Sequence, residues 1–552
     1  MDKIGGDMSL NTSPEGRYLG VVVGGSLSRG IEVRLDPQAP VEEMALGQHV
    51  VIQGQSRRFF GIITDISLET SDDSIRANPP DLSNPLVASV VSSTAVYATL
   101  QVLPMLALEG ALAIIDGPAP AKTVPPHFAP VHLASKEDIE VVFGKEDDRH
   151  FWVGTPLDLD ERIHINLEEF VKRSNGVFGK SGTGKTFLTR LLLVGILQKS
   201  AAVNLVFDMQ SEYGWMGTSE GSGMVKGLKQ LFPSQVAVFS LDEEHGRRRG
   251  ISPDYLVKVG YNQIEPEDIS MLRETLNLSE VAADAAYSVA GHFGQEGWLK
   301  SLLELGSQEI RELALSIGVN ERALSTLHNR LRRLGRFHFV TERESEQSVE
   351  EILRYLDRGI HVVLEFGRYQ NELAAYILVA NLLTRRIHSR YVARKEEAMG
   401  DIAKEPRPLV ITIEEAHRFL SPGIASQTIF GTIAREMRKY NVTLLVVDQR
   451  PSGIDDEVMS QLGTKLSCLL DNERDVEAVM SGVSGARELR GVLSKLDSKQ
   501  QSLIFGHSVP MPIVVRVRDY GTNESYRELG FQEASEMRQQ MERDADDLFG
   551  GR

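Results

Sequence analysis

The sequence predicts an α/β protein built on a parallel sheet, with a small β-barrel ahead of the sheet and a helical insertion within it. From about residue 136, uniformly apolar strands alternate with amphipathic helical stretches: "NLVFD" (204–208), "VAVFSL" (236–241), "HVVLEF" (361–366), "PLVITIEE" (408–415) and "VTLLVVDQ" (442–449). Strands that are apolar on both faces and separated by helices mark a parallel sheet covered on both sides. A glycine- and lysine-rich octapeptide, 179–186, stands between a short apolar stretch and a helical run. Ahead of all this the pattern is short strands and glycine turns with little helical period.

Taken in order, residues 1–130 read as an antiparallel barrel or sandwich. "YLGVVVGG", "GIEVRLD", "QHVVIQG", "RRFFGIITDISLE" and "STAVYATLQVL" follow one another at strand length. The uncharged run from Pro85 to Gly110 is broken by Ser92, Ser93, Thr94, Thr99, Gln101 and Pro104 and is rich in valine and threonine. It is expected to be β-structure rather than a membrane span. "GPAPAKTVPPHFAPV" (117–131) is proline-rich and expected to be an extended linker. Residues 131–263 hold the first part of the α/β core. Residues 264–340 form the insertion, nearly all helical ("EPEDISMLRETL", "ERALSTLHNRLRRL"). Residues 341–520 complete the core, and 521–552 form a charged helical tail.

The 552 residues suffice for about three domains. A formal net charge of −17 excludes a surface that clings everywhere to nucleic acid or anionic membrane, while permitting a local basic channel inside an assembly. The single cysteine, Cys468, lies in the apolar run "TKLSCLL" and can make neither an intrachain disulfide nor a cysteine-rich metal site; a reducing, cytoplasmic setting is expected. The opening "MDKIGGDMSLNTSPEGR" has no apolar signal core, and no membrane association is expected.

Gly179-Lys180-Ser181-Gly182-Thr183-Gly184-Lys185-Thr186 satisfies G-x-x-x-x-G-K-[ST], after "GVF" and before the helix that Phe187 opens. Glycines let backbone N–H groups curl around a phosphate, and the helix N-terminus adds partial positive charge. Lys185 is expected to reach the β- and γ-phosphates of ATP and Thr186 to bind Mg²⁺. The bland alternative is a glycine-rich turn with a chance lysine.

Hydrolysis also needs an acid near the metal and a group that activates water. "PLVITIEEAHRFL" supplies an acidic pair at a strand end: Glu414 is expected to hold the Mg²⁺ shell and Glu415 to orient and deprotonate the attacking water. His417 either couples the site to the next helix or is a structural hydrogen-bond donor. Gln449, ending another strand, is the expected γ-phosphate sensor, with Asp448 and Arg450 as possible helpers. Asp208, ending "NLVFD", is expected on the same ligand-binding edge of the sheet.

These motifs, in this order, resemble HerA-like ATPases of the HerA/FtsK group: "GVFGKSGTGKT", "NLVFDMQSEYG", "VITIEEAHRFL" and "IAREMRKYNVTLLVVDQRPSGIDDEVMSQLGTKL". The strand-rich N-terminal segment resembles the small barrel that heads that family. The resemblance implies a RecA-like P-loop NTPase core and a hexameric ring that hydrolyses ATP at subunit interfaces and moves duplex DNA through its pore. It also implies a helicase of DNA repair working with a nuclease such as NurA, or with an antiphage effector. By the same likeness Glu415 is the catalytic carboxylate and Gln449 the sensor. Arg438 matches the family's arginine, and Arg435 lies one helical turn earlier on the same face. One of the two is the expected arginine finger, the alternative being a solvated basic face paired with Glu436. Met437 stands where the family has glycine, and Asp448 where it has a small residue.

For DNA contact the densest cationic runs are "HGRRRG" (245–250), "NRLRRLGRFHF" (329–339) and "TRRIHSRYVARK" (384–395). Arg247, Arg248 and Arg249, expected in a glycine-flanked loop, are the pore-loop candidates; the other two read as amphipathic helix surfaces. The competing function is a ring scaffold that assembles and gates an effector without processive DNA movement.

Overall fold

The computed structural model describes residues 16–81, 83–109, 118–219, 223–342, 348–401, 404–425, 428–483 and 485–531. Most of the predicted tail lies outside them; the described part carries a short helix, Asn523–Glu528.

Strands β1 (Tyr18–Ser26), β2 (Gly30–Leu35), β3 (His49–Gln53), β4 (Arg57–Thr70), β5 (Val96–Glu109) and β7 (Pro130–Leu133) close into a barrel, with β6 (Ala119–Pro120) laid against β5. The order is β2-β1-β7-β3-β4-β5, and β2 pairs back onto β5 to complete the ring. Alternation along the strands does the sorting. Val50, Ile52, Phe59 and Ile63 fill the barrel, whereas Val51, Phe60, Ile62, Leu103 and Leu106 point outward into the core of the neighbouring α/β body. The barrel is thus docked through apolar contact, reinforced by an Arg58–Asp138 ion pair.

Two sequence expectations fail here. The run from Pro85 is not all β-structure: Pro85–Thr94 is a helix, and only the residues from Val96 are strand. Asn84 accepts the Leu86 N–H, and Pro85 stands in the first turn, so capping outweighs strand propensity. Pro104 is accommodated opposite Gly61, where the β4–β5 register shifts. Nor is 117–131 a free linker, since its end enters β7, an inner strand between β1 and β3. Pro130 opens that strand, the position where a missing N–H costs least.

The second sheet has twelve strands. They are β8 (His150–Pro156), β9 (Ile163–Asn166), β10 (Asn175–Phe178), β11 (Val203–Asp208), β14 (Val236–Ser240), β15 (Tyr255–Leu256), β18 (His361–Glu365), β19 (Leu409–Glu414), β20 (Val442–Asp448), β21 (Thr464–Ser467), β22 (Gln501–Gly506) and β23 (Ile513–Val517). The order is β15-β14-β18-β11-β19-β20-β10-β21-β22-β23-β8-β9. It is parallel from β15 to β21, as expected of apolar strands joined by helices. Beyond β21 it turns antiparallel, a wing that the parallel-sheet expectation lacked. The outward face of the barrel meets this wing: His49 Nε2 lies 3.4 Å from the Pro512 carbonyl oxygen, and a side chain on Gly47 would strike Val514.

A minor hairpin, β12 (Gly217–Ser219) with β13 (Gly223–Val225), follows β11. The helices Pro266–Met271, Glu280–Phe293, Trp298–Glu304, Ser307–Ser316 and Glu321–Leu331 lie between β16 (Val259–Gly260) and β17 (Val340–Thr341), which pair in parallel and clasp the insertion at its base. Buried Trp298 donates its indole N–H to the Ile264 carbonyl at 2.9 Å, fixing the helices to that base. Among the described residues no helix is long and apolar enough to cross a membrane.

Candidate active site

The predicted phosphate loop leaves β10 at Phe178 and enters the helix Lys185–Gln198. Gly182 (φ 78°) and Gly184 (φ 97°) adopt left-handed backbone, and a side chain at either would meet open space, so conformation rather than crowding demands glycine. At Gly179 (φ 150°) room adds to conformation: an added Cβ would lie 2.7 Å from Thr183 Oγ1 and 2.8 Å from Cys468 Cβ. Cys468 is buried directly beneath the loop, its thiol pushed up to about 11 by burial, an inert packing group. The helix has no acidic residue in its first turn and no side-chain cap, leaving its N-terminal amides for an external anion.

Lys185 donates to the Lys180 carbonyl at 2.8 Å, which also accepts from Thr183 Oγ1 at 2.8 Å. Burial lowers the Lys185 ammonium from its usual range, while the nearby Asp448, Glu415 and Glu414 carboxylates oppose that shift. Lys180 itself pairs with Asp471 at 2.9 Å. Ser181 is exposed and Thr186 half-buried. Phe187 packs against Tyr520, ring centroids 6.3 Å apart, and beneath the Arg190 guanidinium.

Topology brings the acids and the glutamine to this loop. Strand β20 lies between β10 and β19, with Phe178 opposite Asp448 and Glu414 opposite Val447. Residues 414–415, 448–449 and the loop from 179 therefore leave the same edge of three adjacent parallel strands. Glu415 stands at φ 50°, in the left-handed region a glutamate rarely adopts. Its Oε1 accepts from Gln449 Nε2 at 3.1 Å. Glu414 is buried, and its Oε1 accepts from the Tyr213 hydroxyl at 2.8 Å. Burial foremost, then the Asp208 charge, raises the Glu414 carboxyl to about 8.

Asp208 is brought to the same edge but turned to a different task. Its oxygens accept the backbone N–H groups of Glu212 and Tyr213, both at 2.8 Å, and of Gly214 at 3.2 Å, so it shapes the loop that carries Tyr213. Glu365, buried at the end of β18 opposite Asp208, is raised to about 8 by burial and by that neighbouring carboxylate. Asp448 is buried and bound to His417: Nδ1 lies 2.9 Å from Oδ2, and the His417 backbone N–H donates to the same oxygen at 2.8 Å. The Asp448 hydrogen bond raises the His417 pKa.

The two candidate arginines lie on different elements. The helix Ile429–Glu436 gives way to a 3-10 turn, Met437–Tyr440, between them. Arg435 is half-buried and pairs with Glu457 at 3.3 Å rather than with Glu436, while Arg438 is exposed on the turn. "HGRRRG" is no loop either. Arg247, Arg248 and Arg249 end the helix Glu243–Arg249, capped by Asp242 and closed by left-handed Gly250. Glu243–Arg247 and Glu244–Arg248 pair along it, spacing that the helical i,i+4 rule favours. Tyr213 and the Asp448–His417 contact escaped the sequence reading; their partners lie 201 and 31 residues apart, with no local motif to link them.

The site's chemistry is that of an anion cradle facing oxygen donors. Thr186 and Glu414 offer hard oxygens suited to Mg²⁺, and a cation beside Glu414 would oppose the burial that raises its carboxyl. Among the described residues no cluster of three or more His, Cys, Asp or Glu could hold a metal.

Comparison with known proteins gives two family matches: the HAS barrel domain over residues 19–114, and the central domain of helicase HerA over 151–387. Relatives include the DNA double-strand break repair helicase HerA of Pyrococcus furiosus, 24% identical over 427 residues, covering 71% of this chain and 73% of that protein. The protein of the same name from Sulfurisphaera tokodaii is 24% identical over 531 residues, covering 90% of this chain and 92% of the relative. Among solved structures, VirB4 of Thermoanaerobacter pseudethanolicus aligns over 69% of this chain and 100% of its own, at 14% identity and a TM-score of 0.45.

Proposed function

The chain belongs to the HerA-like ATPases, and from that membership we propose that it is an ATP hydrolase that moves duplex DNA as a ring, with active sites completed between subunits. The observation that carries the reading is the convergence of the 179–186 loop, the Glu414–Glu415 pair and Gln449 on one edge of β10, β20 and β19. Relatives over most of their length are named DNA double-strand break repair helicases, which supports duplex DNA as the substrate track.

In this reading the 179–186 amides hold the triphosphate, and Lys185 exchanges the Lys180 carbonyl for phosphate oxygens. Glu415 takes a proton from water as its oxygen bonds to the γ-phosphorus and the bond to the β-phosphate oxygen breaks, leaving ADP and phosphate. Gln449, already on Glu415, orients that water. Thr186 and Glu414 would hold Mg²⁺, which would supply charge neutralisation on the phosphates. Phe187 borders the nucleotide through its place at the head of the helix.

The reading places a further cation, supplied by a neighbouring subunit, on the transition-state charge. Arg438, exposed on its turn, is the better candidate to reach a neighbour's γ-phosphate, because Arg435 is already held by Glu457. A hexameric ring meets that need, and the barrel is the docking module for a nuclease of the NurA kind or an antiphage effector. The net charge of −17 favours a second reading, a ring that gates an effector without running along DNA.

Measuring ATP turnover with and without duplex DNA across a salt series separates the two. Translocation predicts strong DNA stimulation that fades as salt rises; turnover indifferent to DNA would overturn it in favour of the scaffold.

A further inference from the structure

We propose that Asp448 and His417 are positioning residues for Glu415: Asp448 grips the imidazole, and the imidazole fixes the carboxylate that meets the attacking water. The inference rests on reading the site as an ATPase and adds two residues to it.

Glu415 needs to be held. A non-glycine residue at φ 50° is strained and persists only where its surroundings over-determine it. Two side chains flank its carboxylate. Gln449 donates to Oε1 at 3.1 Å, and His417 Nε2 stands 3.8 Å from Oε2. The second distance exceeds a hydrogen bond, but such contacts tighten when substrate completes the site.

The imidazole is not free to swing away. Its Nδ1 lies 2.9 Å from Asp448 Oδ2 and 3.2 Å from Oδ1, and the His417 backbone N–H donates to Oδ2 at 2.8 Å. Asp448 is fixed in turn, being buried and accepting the Arg450 N–H at 2.7 Å. With Nδ1 committed, Nε2 is the nitrogen left facing Glu415. The pair also crosses from β20 to the residues that follow β19, so Gln449, next to Asp448, and Glu415, near His417, share one frame. Any shift at the end of β20 is carried to the carboxylate.

A plainer role would be capping alone, since His417 opens the short helix His417–Leu420 and Asp448 accepts its N–H. Capping does not need the imidazole, and that difference is testable.

The experiment is a double-mutant cycle in the full-length protein, reading turnover of radiolabelled ATP and affinity for a fluorescent ATP analogue. His417→Ala is expected to lower kcat about 10–100-fold with affinity changed less than about twofold. In a Glu415→Gln background the same substitution should cost less than about twofold, since no carboxylate remains to be positioned. Asp448→Asn, which keeps an acceptor for the backbone N–H but weakens the grip on the imidazole, should follow His417→Ala. Wild-type kcat in His417→Ala, a loss confined to affinity, or an equal loss in both backgrounds would each overturn the pair's role. Should His417→Ala fail to fold, His417→Gln keeps the bulk and decides by the same cycle. Absent turnover in the wild type would instead sink the ATPase reading.

Discussion

The Tyr213 hydroxyl donates to Glu414 Oε1 across 2.8 Å, tying the loop after β11 to the end of β19 inside a buried site. Asp208 shapes that loop through three backbone amides, so the ends of two strands are fastened to one loop by two carboxyls. Tyr213→Phe removes the donor and leaves a buried oxygen without its partner. Stability is expected to fall by about 1–3 kcal/mol. Urea unfolding without nucleotide checks this; an unchanged midpoint would show that the contact is dispensable.

The phosphate loop gives a separable pair of outcomes. Lys185→Ala should weaken ATP-analogue binding roughly tenfold to a hundredfold, the range of one charge-assisted hydrogen bond. Glu415→Gln should keep binding and cut turnover about 10²–10⁴-fold, leaving a slow residual rate and long-lived bound ATP. Wild-type turnover in Glu415→Gln would remove Glu415 from its role.

What could be read from the sequence was what lies close together along the chain. The octapeptide 179–186 declares its loop because all its parts are consecutive, and the strand ends at Asp208, Glu414 and Asp448 are visible as apolar runs meeting acids. The contacts that hold the site, Tyr213 to Glu414 and His417 to Asp448, form only when β11, β19 and β20 are laid side by side. Asp208 illustrates the limit: its place was legible, but its task, holding the loop's amides, was not. Local capping misled as well. Asn84-Pro85 starts a helix in a strand-like run, and Asp242 turns "EEHGRRR" from a loop into a helix. β7 was hidden because its partners, β1 and β3, lie about 80–110 residues earlier.

The two arginines should part company. Arg438→Ala is expected to cut kcat by about 10³-fold or more while leaving ATP affinity intact, as loss of a finger does. Arg435→Ala loses a pair with the exposed Glu457 and should cost no more than about 1 kcal/mol of stability. Equal kinetic defects in both variants, measured as kcat and KM, would contradict the assignment.

The joint between barrel and wing should respond to acid. Burial lowers His49 from 6.5 to about 4, so the folded state resists a proton that the unfolded chain accepts. Its neutral form therefore stabilises fully above pH 6.5, and the contribution is lost as pH falls from 6.5 toward 4. His361, also lowered to about 4 by burial, acts in the same direction within the sheet. His49→Gln should flatten the decline in melting temperature between pH 6.5 and 4 relative to wild type. An unchanged pH profile would show that His49 does not titrate with unfolding.

The most direct test of the shared site mixes two inactive variants. Lys185→Ala subunits keep Arg438 but bind ATP poorly, and Arg438→Ala subunits keep the nucleotide loop but lack the finger. If active sites form between copies, mixed assemblies contain interfaces with both parts intact, and ATP turnover should rise well above that of either variant alone. Confirmed mixing with no recovery would contradict a site completed by a neighbour.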